Sequence, residues 1–282
     1  MAVVAVRELP ILIQALQKWM PYCNSLLSMM KNSLLSENVW PHMAIYTDDI
    51  KKCTTVVGAA INYHLSPFDR TYYIHSTNIT KLQEVLNTTG VINWNKTRIM
   101  IENMPMSGFQ IIHDVAKNRG FQLIYNKPCN LVLLKNKELC AKTAEKSLPF
   151  AMRYGSLQNE HIPLIENRWW MNNETTPPSI LSETLKHCKS FAAFDPNGTP
   201  VSWGIHKECG ALGYGFSEPK YRGSGLHMII QARFCTELSN AGITPYFYIA
   251  KNNIPPMKVA TKVGFEKLEG FVTTRLVFTK IQ

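Results

Sequence analysis

Residues 217–227 read Ser217-Glu218-Pro219-Lys220-Tyr221-Arg222-Gly223-Ser224-Gly225-Leu226-His227, between a strand pattern and a long helix pattern. Gly223 and Gly225 let the backbone turn sharply, so that successive N–H groups point into one cavity. Bare amides and the positive end of a helix dipole favour an anion there. A diphosphate is the natural guest, and Arg222 adds a fixed positive charge beside it. Phe216 and Ser217 would approach this guest from the strand. Gly223, Ser224, Gly225, Leu226 and His227 would approach it from the loop and the first helical turn. The spacing is not that of the nucleotide-binding loop, because no Lys-Ser/Thr follows the glycines. Nor is it the dinucleotide fingerprint, because Met228 stands where the third glycine belongs. The competing reading is a plain strand–helix turn, with His227 facing either the ligand or the helix packing. Asn253, before a short helix, has the type and place of a helix cap.

The elements that must hold this loop are well punctuated. Residues 179–189 form a helix, and 191–194 and 200–206 form strands around the turn Asp195-Pro196-Asn197-Gly198. Residues 211–216 make the strand that feeds the loop. The long helix spans 222–240 and stops at Ala241-Gly242. A strand at 244–250, a short helix at 257–263 closed by Gly264, and a last strand at 271–278 complete this half. The first half reads as a helix at 9–19 and strands at 39–46, 54–63 and 71–75. A helix at 79–86 follows, capped by Asn78, then a strand at 98–102 and a helix at 109–119 closed by Gly120. A hairpin is expected around Asn126-Lys127-Pro128, joining strands at 121–125 and 130–134. The polar, basic stretch 135–150 marks a boundary or connecting helix. Two domains are therefore expected, 1–150 and 151–282, both α/β. The second should have a mixed, splayed central sheet.

The loop resembles that of the GNAT acyltransferase superfamily, often written Pro-x-Tyr-Arg-Gly-x-Gly. Pro219, Tyr221, Arg222, Gly223 and Gly225 match it, and His227 replaces the final small residue. The Asn252-Asn253 pair and Lys262-Val263-Gly264-Phe265 are similar to the superfamily's second cofactor element. A narrower resemblance is to the glycine N-acyltransferase family. It is carried by 198–203 (Gly-Thr-Pro-Val-Ser-Trp), Pro219-Lys220-Tyr221-Arg222, Val91-Ile92-Asn93-Trp94, Trp169-Trp170 and Lys137-Glu138-Leu139. It implies a family-specific N-terminal domain and a C-terminal GNAT-like domain. It also implies transfer of an acyl group from acyl-CoA, as co-substrate, to glycine or a similar small amine. It implies a mitochondrial location, with a cytoplasmic one as the alternative.

Such a reaction needs a proton acceptor, because an ammonium cannot attack a thioester. The resemblance places a Glu directly after a Gly, before the phosphate loop, but here Gly210 is followed by Ala211. Glu208, three positions upstream, and His206, at the end of the preceding strand, are the candidate catalytic residues. The superfamily's Tyr falls at Ala260 or Thr261. Tyr246 and Tyr248 are possible substitutes. A catalytically silent acyl-CoA-binding protein is the alternative reading. Trp169, Trp170 and Trp203 are read as core or acyl-pocket wall.

The composition agrees with an ordinary globular chain of 282 residues, 45% hydrophobic and 18% charged. No run of ~20 apolar residues is present to span a membrane. The seven cysteines are odd in number and form no CxxC pair, so neither a disulfide framework nor a metal site is indicated. The net charge of +10 divides into +6 for residues 1–150 (16 basic, 10 acidic) and +4 for 151–282 (14 basic, 10 acidic). So even an excess argues against a nucleic-acid partner. A monomer that binds acyl-CoA and a small amine is expected.

Overall fold

The computed structural model describes residues 2–35, 42–61, 70–168 and 178–281. It is an α/β protein of two compact units, and the units do not follow a single cut near residue 150. The first holds the described residues up to Cys129 together with 271–281. The second holds 130–168 and 178–270. Helix α5 (Lys137–Ala144) belongs with the second unit because it packs on helix α8 (Leu226–Asn240).

The first unit contains strands β1 (Ala2–Val3), β2 (His42–Thr47), β3 (Thr55–Ile61), β4 (Arg70–Ser76) and β5 (Arg98–Pro105), in that spatial order. It is completed by the parts of β6 (Phe121–Leu134) and β12 (Phe265–Lys280) that belong to it. All recorded pairings here are antiparallel except β4 with β5, whose parallel crossover carries helix α3 (Ile79–Asn87). Asn78 caps α3, its Oδ1 accepting from Lys81 N–H at 3.0 Å. Leu82, Val85 and Leu86 of α3 and Ile112, Val115 and Ala116 of α4 (Phe109–Asn118) close over Val57, Ile101 and Phe278 of the sheet. Side chains alternate across a strand, so Gly58, next to Val57, faces the other way. There α2 (Asn24–Leu35) comes so close that a Cβ on Gly58 would lie 2.7 Å from Leu26 Cδ2. Helix α1 (Leu9–Leu16) packs against α2.

The second unit orders its strands as β6, β11 (Tyr246–Ala250), β10 (Leu212–Ser217), β9 (Pro200–His206), β8 (Ser190–Phe194) and β7 (Arg153–Gly155). Phe191 and Ala193 of β8 pack with α8. Their neighbours Ala192 and Phe194 pack with Ile165 of α6 (Ile162–Arg168) and Leu181 of α7 (Pro178–His187). Helix α9 (Ile254–Val263) ends at Gly264, whose φ is +99°.

One expected element is corrected: 121–134 is a single strand, not a hairpin. In place of a turn, Asn126 Oδ1 accepts from Thr274 Oγ1 of β12 at 2.6 Å, and the chain stays extended through Pro128. Strand β1, helix α2, strand β7 and helix α6 are additions to the expected elements. No helix among the described residues is long and apolar enough to cross a membrane.

Candidate active site

β10 and β11 run parallel and pair through a single position, Leu212↔Phe247. Beyond it the two strands separate toward their C-terminal ends. On its other side β10 pairs with β9, but the register shifts between Gly213 and Phe216, and Tyr214 in that bulge has φ +53°. A bulge bends a strand and re-aims its side chains. A cleft therefore opens along β10, closed at Leu212 and open at Ser217.

The glycine loop stands at the open end. A short 3-10 turn (Pro219–Tyr221) follows β10, Arg222 is extended (ψ 150°), and α8 begins only at Leu226. The helix is thus shorter at its start than the expected 222–240. The intervening residues adopt conformations that only glycine takes readily: Gly223 at φ +79° and Gly225 at φ +82°. No heavy atom lies within 4 Å of a Cβ built at Gly223, so the backbone there is bare. The N–H groups of Gly223, Ser224 and Gly225 make no intramolecular hydrogen bond among the described residues. With the first turn of α8 they form an anion-ready end. Ser224 Oγ donates to the Tyr221 carbonyl at 2.7 Å and braces the turn.

Arg222 folds back on β10. Its Nε donates to the Ser217 carbonyl at 2.9 Å, and its guanidinium lies 5.7 Å from the Phe216 ring centroid. Phe216 in turn stacks on buried Trp203 at 4.8 Å. Leu226 is buried. His227 points inward. Its Nδ1 is 2.9 Å from Ser202 Oγ, which is 2.7 Å from Ser217 Oγ and donates to the Phe216 carbonyl at 3.0 Å. Burial holds the His227 imidazole neutral, its pKa lowered to about 4. The ring abuts Gly215, where a Cβ would lie 3.4 Å from Nε2. His227 therefore braces the loop from below. Ser202 is one residue that sequence reasoning missed; its one signal is a hydroxyl between apolar neighbours in a buried strand. Arg168 is a second omission. Its Nε lies 2.6 Å from Glu218 Oε1 in the loop, and nothing in sequence spacing joins the two.

Asn253 occupies the N-cap position of α9 without a side-chain capping bond, and its N–H donates to the Ala250 carbonyl at 2.9 Å. Its side chain is thus not committed to the cap.

His206 and Glu208 sit at the other end of β10 from the loop. His206 pairs in register with Leu212, at the closed end of the cleft. Its ring is 6.1 Å from that of Phe234 on α8, and burial pushes its pKa down. Glu208 lies in the β9–β10 turn. Burial first, and the Glu208 carboxylate second, push the Cys188 thiol up, which places that carboxylate near the end of α7. Ala211 is buried. Tyr246 donates its hydroxyl to the Cys209 carbonyl and stands edge-on to Tyr248 at 5.8 Å. Trp169 and Trp170 lie outside the described residues.

Comparison with known proteins agrees with this architecture. Residues 59–177 match the aralkyl acyl-CoA:amino acid N-acyltransferase family, and 191–270 match the C-terminal region of the same family. A bovine glycine N-phenylacetyltransferase is 25% identical over 211 residues, covering 70% of each chain. The crystal structure of a Drosophila protein superposes with a TM-score of 0.82 at 17% identity, covering 99% of this chain and 97% of that one. A tandem GNAT protein from clavulanic acid biosynthesis gives 0.57 at 11% identity, covering 98% and 97%. The structural likenesses show the fold, and the two matched regions show the family: this chain is a GNAT-fold N-acyltransferase and belongs to the aralkyl acyl-CoA:amino acid N-acyltransferase family.

Proposed function

We propose that the protein transfers an acyl group from acyl-CoA to the amino group of glycine or a similar small amino acid. The observation that carries this is the bare-amide loop at the open end of the β10–β11 cleft. The diphosphate of CoA rests on Gly223, Ser224, Gly225 and the first turn of α8, beside Arg222. Phe216, Ser217, Leu226 and His227 shape and brace that seat, and Asn253 reaches it from α9. The pantetheine amides pair with the backbone of β10 that β11 leaves open, and the thioester lies toward Leu212. The deprotonated amine attacks the thioester carbonyl. A C–N bond forms, the C–S bond breaks, and CoA leaves as the thiolate. The amine's proton goes to His206 or Glu208, directly or through water. Burial favours the neutral, accepting form of His206.

The second reading, an acyl-CoA-binding protein without turnover, is favoured by Ala211 after Gly210 and by Ala260 and Thr261 where a Tyr would protonate the thiolate. A mitochondrial location and a monomeric state complete the proposal. One assay separates the readings: release of free CoA thiol from a panel of acyl-CoAs, with and without glycine. Release that depends on glycine supports the transferase. Tight acyl-CoA binding with no release under any amine supports the silent binder. In the transferase, Glu208→Gln or His206→Ala should lower kcat by about a hundredfold or more, whichever residue is the base.

A further inference from the structure

The segment between α5 and β7 holds two consecutive non-glycine residues in the left-handed region, Phe150 (φ 60°, ψ 30°) and Ala151 (φ 51°). L-residues avoid this region because Cβ crowds the next carbonyl. Such outliers persist only where their surroundings hold them, and they gather at functional places. Here the surroundings can be named. Leu148 packs against the core of the second unit. Met152 N–H donates to the Pro149 carbonyl at 3.3 Å. Arg233 of α8 donates from Nε to the Ala144 carbonyl at 3.0 Å and from Nη2 to the Lys146 carbonyl at 2.9 Å.

The turn aims a large apolar ring at solvent: Phe150 is 57% exposed. Its ring centroid lies 5.6 Å from that of Tyr221, inclined at 53°. Tyr221 immediately precedes Arg222 in the glycine loop, and Lys220 Nζ lies 4.7 Å from the Tyr221 ring centroid. An exposed aromatic face, two cations and a run of bare amides thus share one stretch of the second unit's surface.

We infer that Phe150, backed by Tyr221, is the shelf on which the purine base of the CoA nucleotide stacks. The inference deepens the acyl-CoA reading and rests on it. Any nucleobase presents a face that stacks on an aromatic ring. The phosphates joined to that base need cations and amides close by, and Lys220, Arg222 and the loop supply them. An apolar protein segment would match the ring but not the charges. A Phe displayed only by chance would not need two residues held in an avoided conformation.

The test uses the full chain, with Phe150→Ala and Phe150→Trp beside the unaltered protein. Calorimetry measures binding of CoA and of its two halves, adenosine bisphosphate and phosphopantetheine. Phe150→Ala should weaken CoA and adenosine bisphosphate by about tenfold and leave phosphopantetheine unchanged. Phe150→Trp, which keeps a stacking ring, should hold CoA within about twofold of the unaltered chain. Two outcomes overturn the shelf alone: CoA affinity unmoved by Phe150→Ala, or equal losses for both halves, which would mean a disturbed loop. If the unaltered chain binds neither CoA nor either half, the acyl-CoA reading itself fails and the shelf falls with it. Thermal unfolding of each variant shows that the second unit is intact.

Discussion

At the scale of single residues, charge placement around the loop decides more than charge number. Glu218 puts a carboxylate in the loop proposed to hold the CoA diphosphate, and Arg168 pairs with it at 2.6 Å. Arg168 is 42% exposed, so the pair adds little to stability. Its value is in what it hides. Arg168→Ala should raise KM for acyl-CoA about fivefold, the equivalent of ~1 kcal/mol, while the melting temperature barely moves. Adding Glu218→Gln should restore KM, and the effect should shrink at high salt. A KM unchanged by Arg168→Ala would mean that Glu218 does not face the diphosphate. The same logic applies to the base. Burial pushes the His206 pKa below its ordinary value near 6.5. If His206 accepts the proton, activity is full above that lowered pKa and falls only as pH drops through it. The acid limb of kcat/KM should therefore lie below pH ~6.5 and vanish in His206→Ala. A limb that survives the substitution assigns the proton to another group.

At the scale of elements, α8 and the turn before it carry the proposed diphosphate seat. Gly225 is the N-cap residue of α8 at φ +82°, where a side chain is strained whatever the space. Gly225→Ala should cost about 1–2 kcal/mol in the left-handed conformation. If the loop relaxes to escape that cost, its amides lose their convergence. Acyl-CoA affinity should then fall about tenfold or more, while thermal unfolding shifts by only a few degrees. Calorimetry and a thermal melt read the two separately, and an unmoved affinity would remove the amides from the binding account. This loop is legible in sequence because Gly223 and Gly225 are needed by backbone geometry alone. The inward turn of His227 is not legible, because Ser202 and Gly215 on neighbouring strands set it. Strands β8 and β9 are legible because Asp195-Pro196-Asn197-Gly198 punctuates them, with Asp195 Oδ1 accepting from Asn197 and Thr199 N–H. Helix α2 is hidden because Asn24, Ser25, Ser28, Asn32 and Ser33 dilute its apolar period. Asn24 and Ser25 are buried by tertiary packing that local pattern does not report. The continuity of β6 is hidden for a related reason, since Asn126 and Pro128 signal a turn until Thr274 of β12 supplies a partner.

At the scale of the whole molecule, each unit holds a histidine that burial keeps neutral: His75 in the first and His227 in the second, both lowered to about 4. In the unfolded chain both would titrate near 6.5. Between these values the unfolded state binds more protons than the folded one. Stability is therefore full above pH ~6.5, falls as pH drops through this window, and levels off below about 4. At pH 5 each histidine should cost about 2 kcal/mol relative to pH 7. His75 offers the cleaner test, because neither ring nitrogen has a hydrogen-bond partner among the described residues. Replacing an unpartnered buried polar group by an apolar one of similar size is neutral or stabilising. His75→Leu should thus raise the melting temperature at pH 5 by about 5 °C more than it does at pH 7. Equal gains at both pH values would mean that His75 is not held neutral. The shape of the calorimetric trace adds a second readout. Strands β6 and β12 each give residues to both units, so neither unit can unfold without losing strand that the other needs. A single transition is expected, and His75→Leu should move all of it. Two transitions, of which only one moved, would show that the units melt independently despite the shared strands.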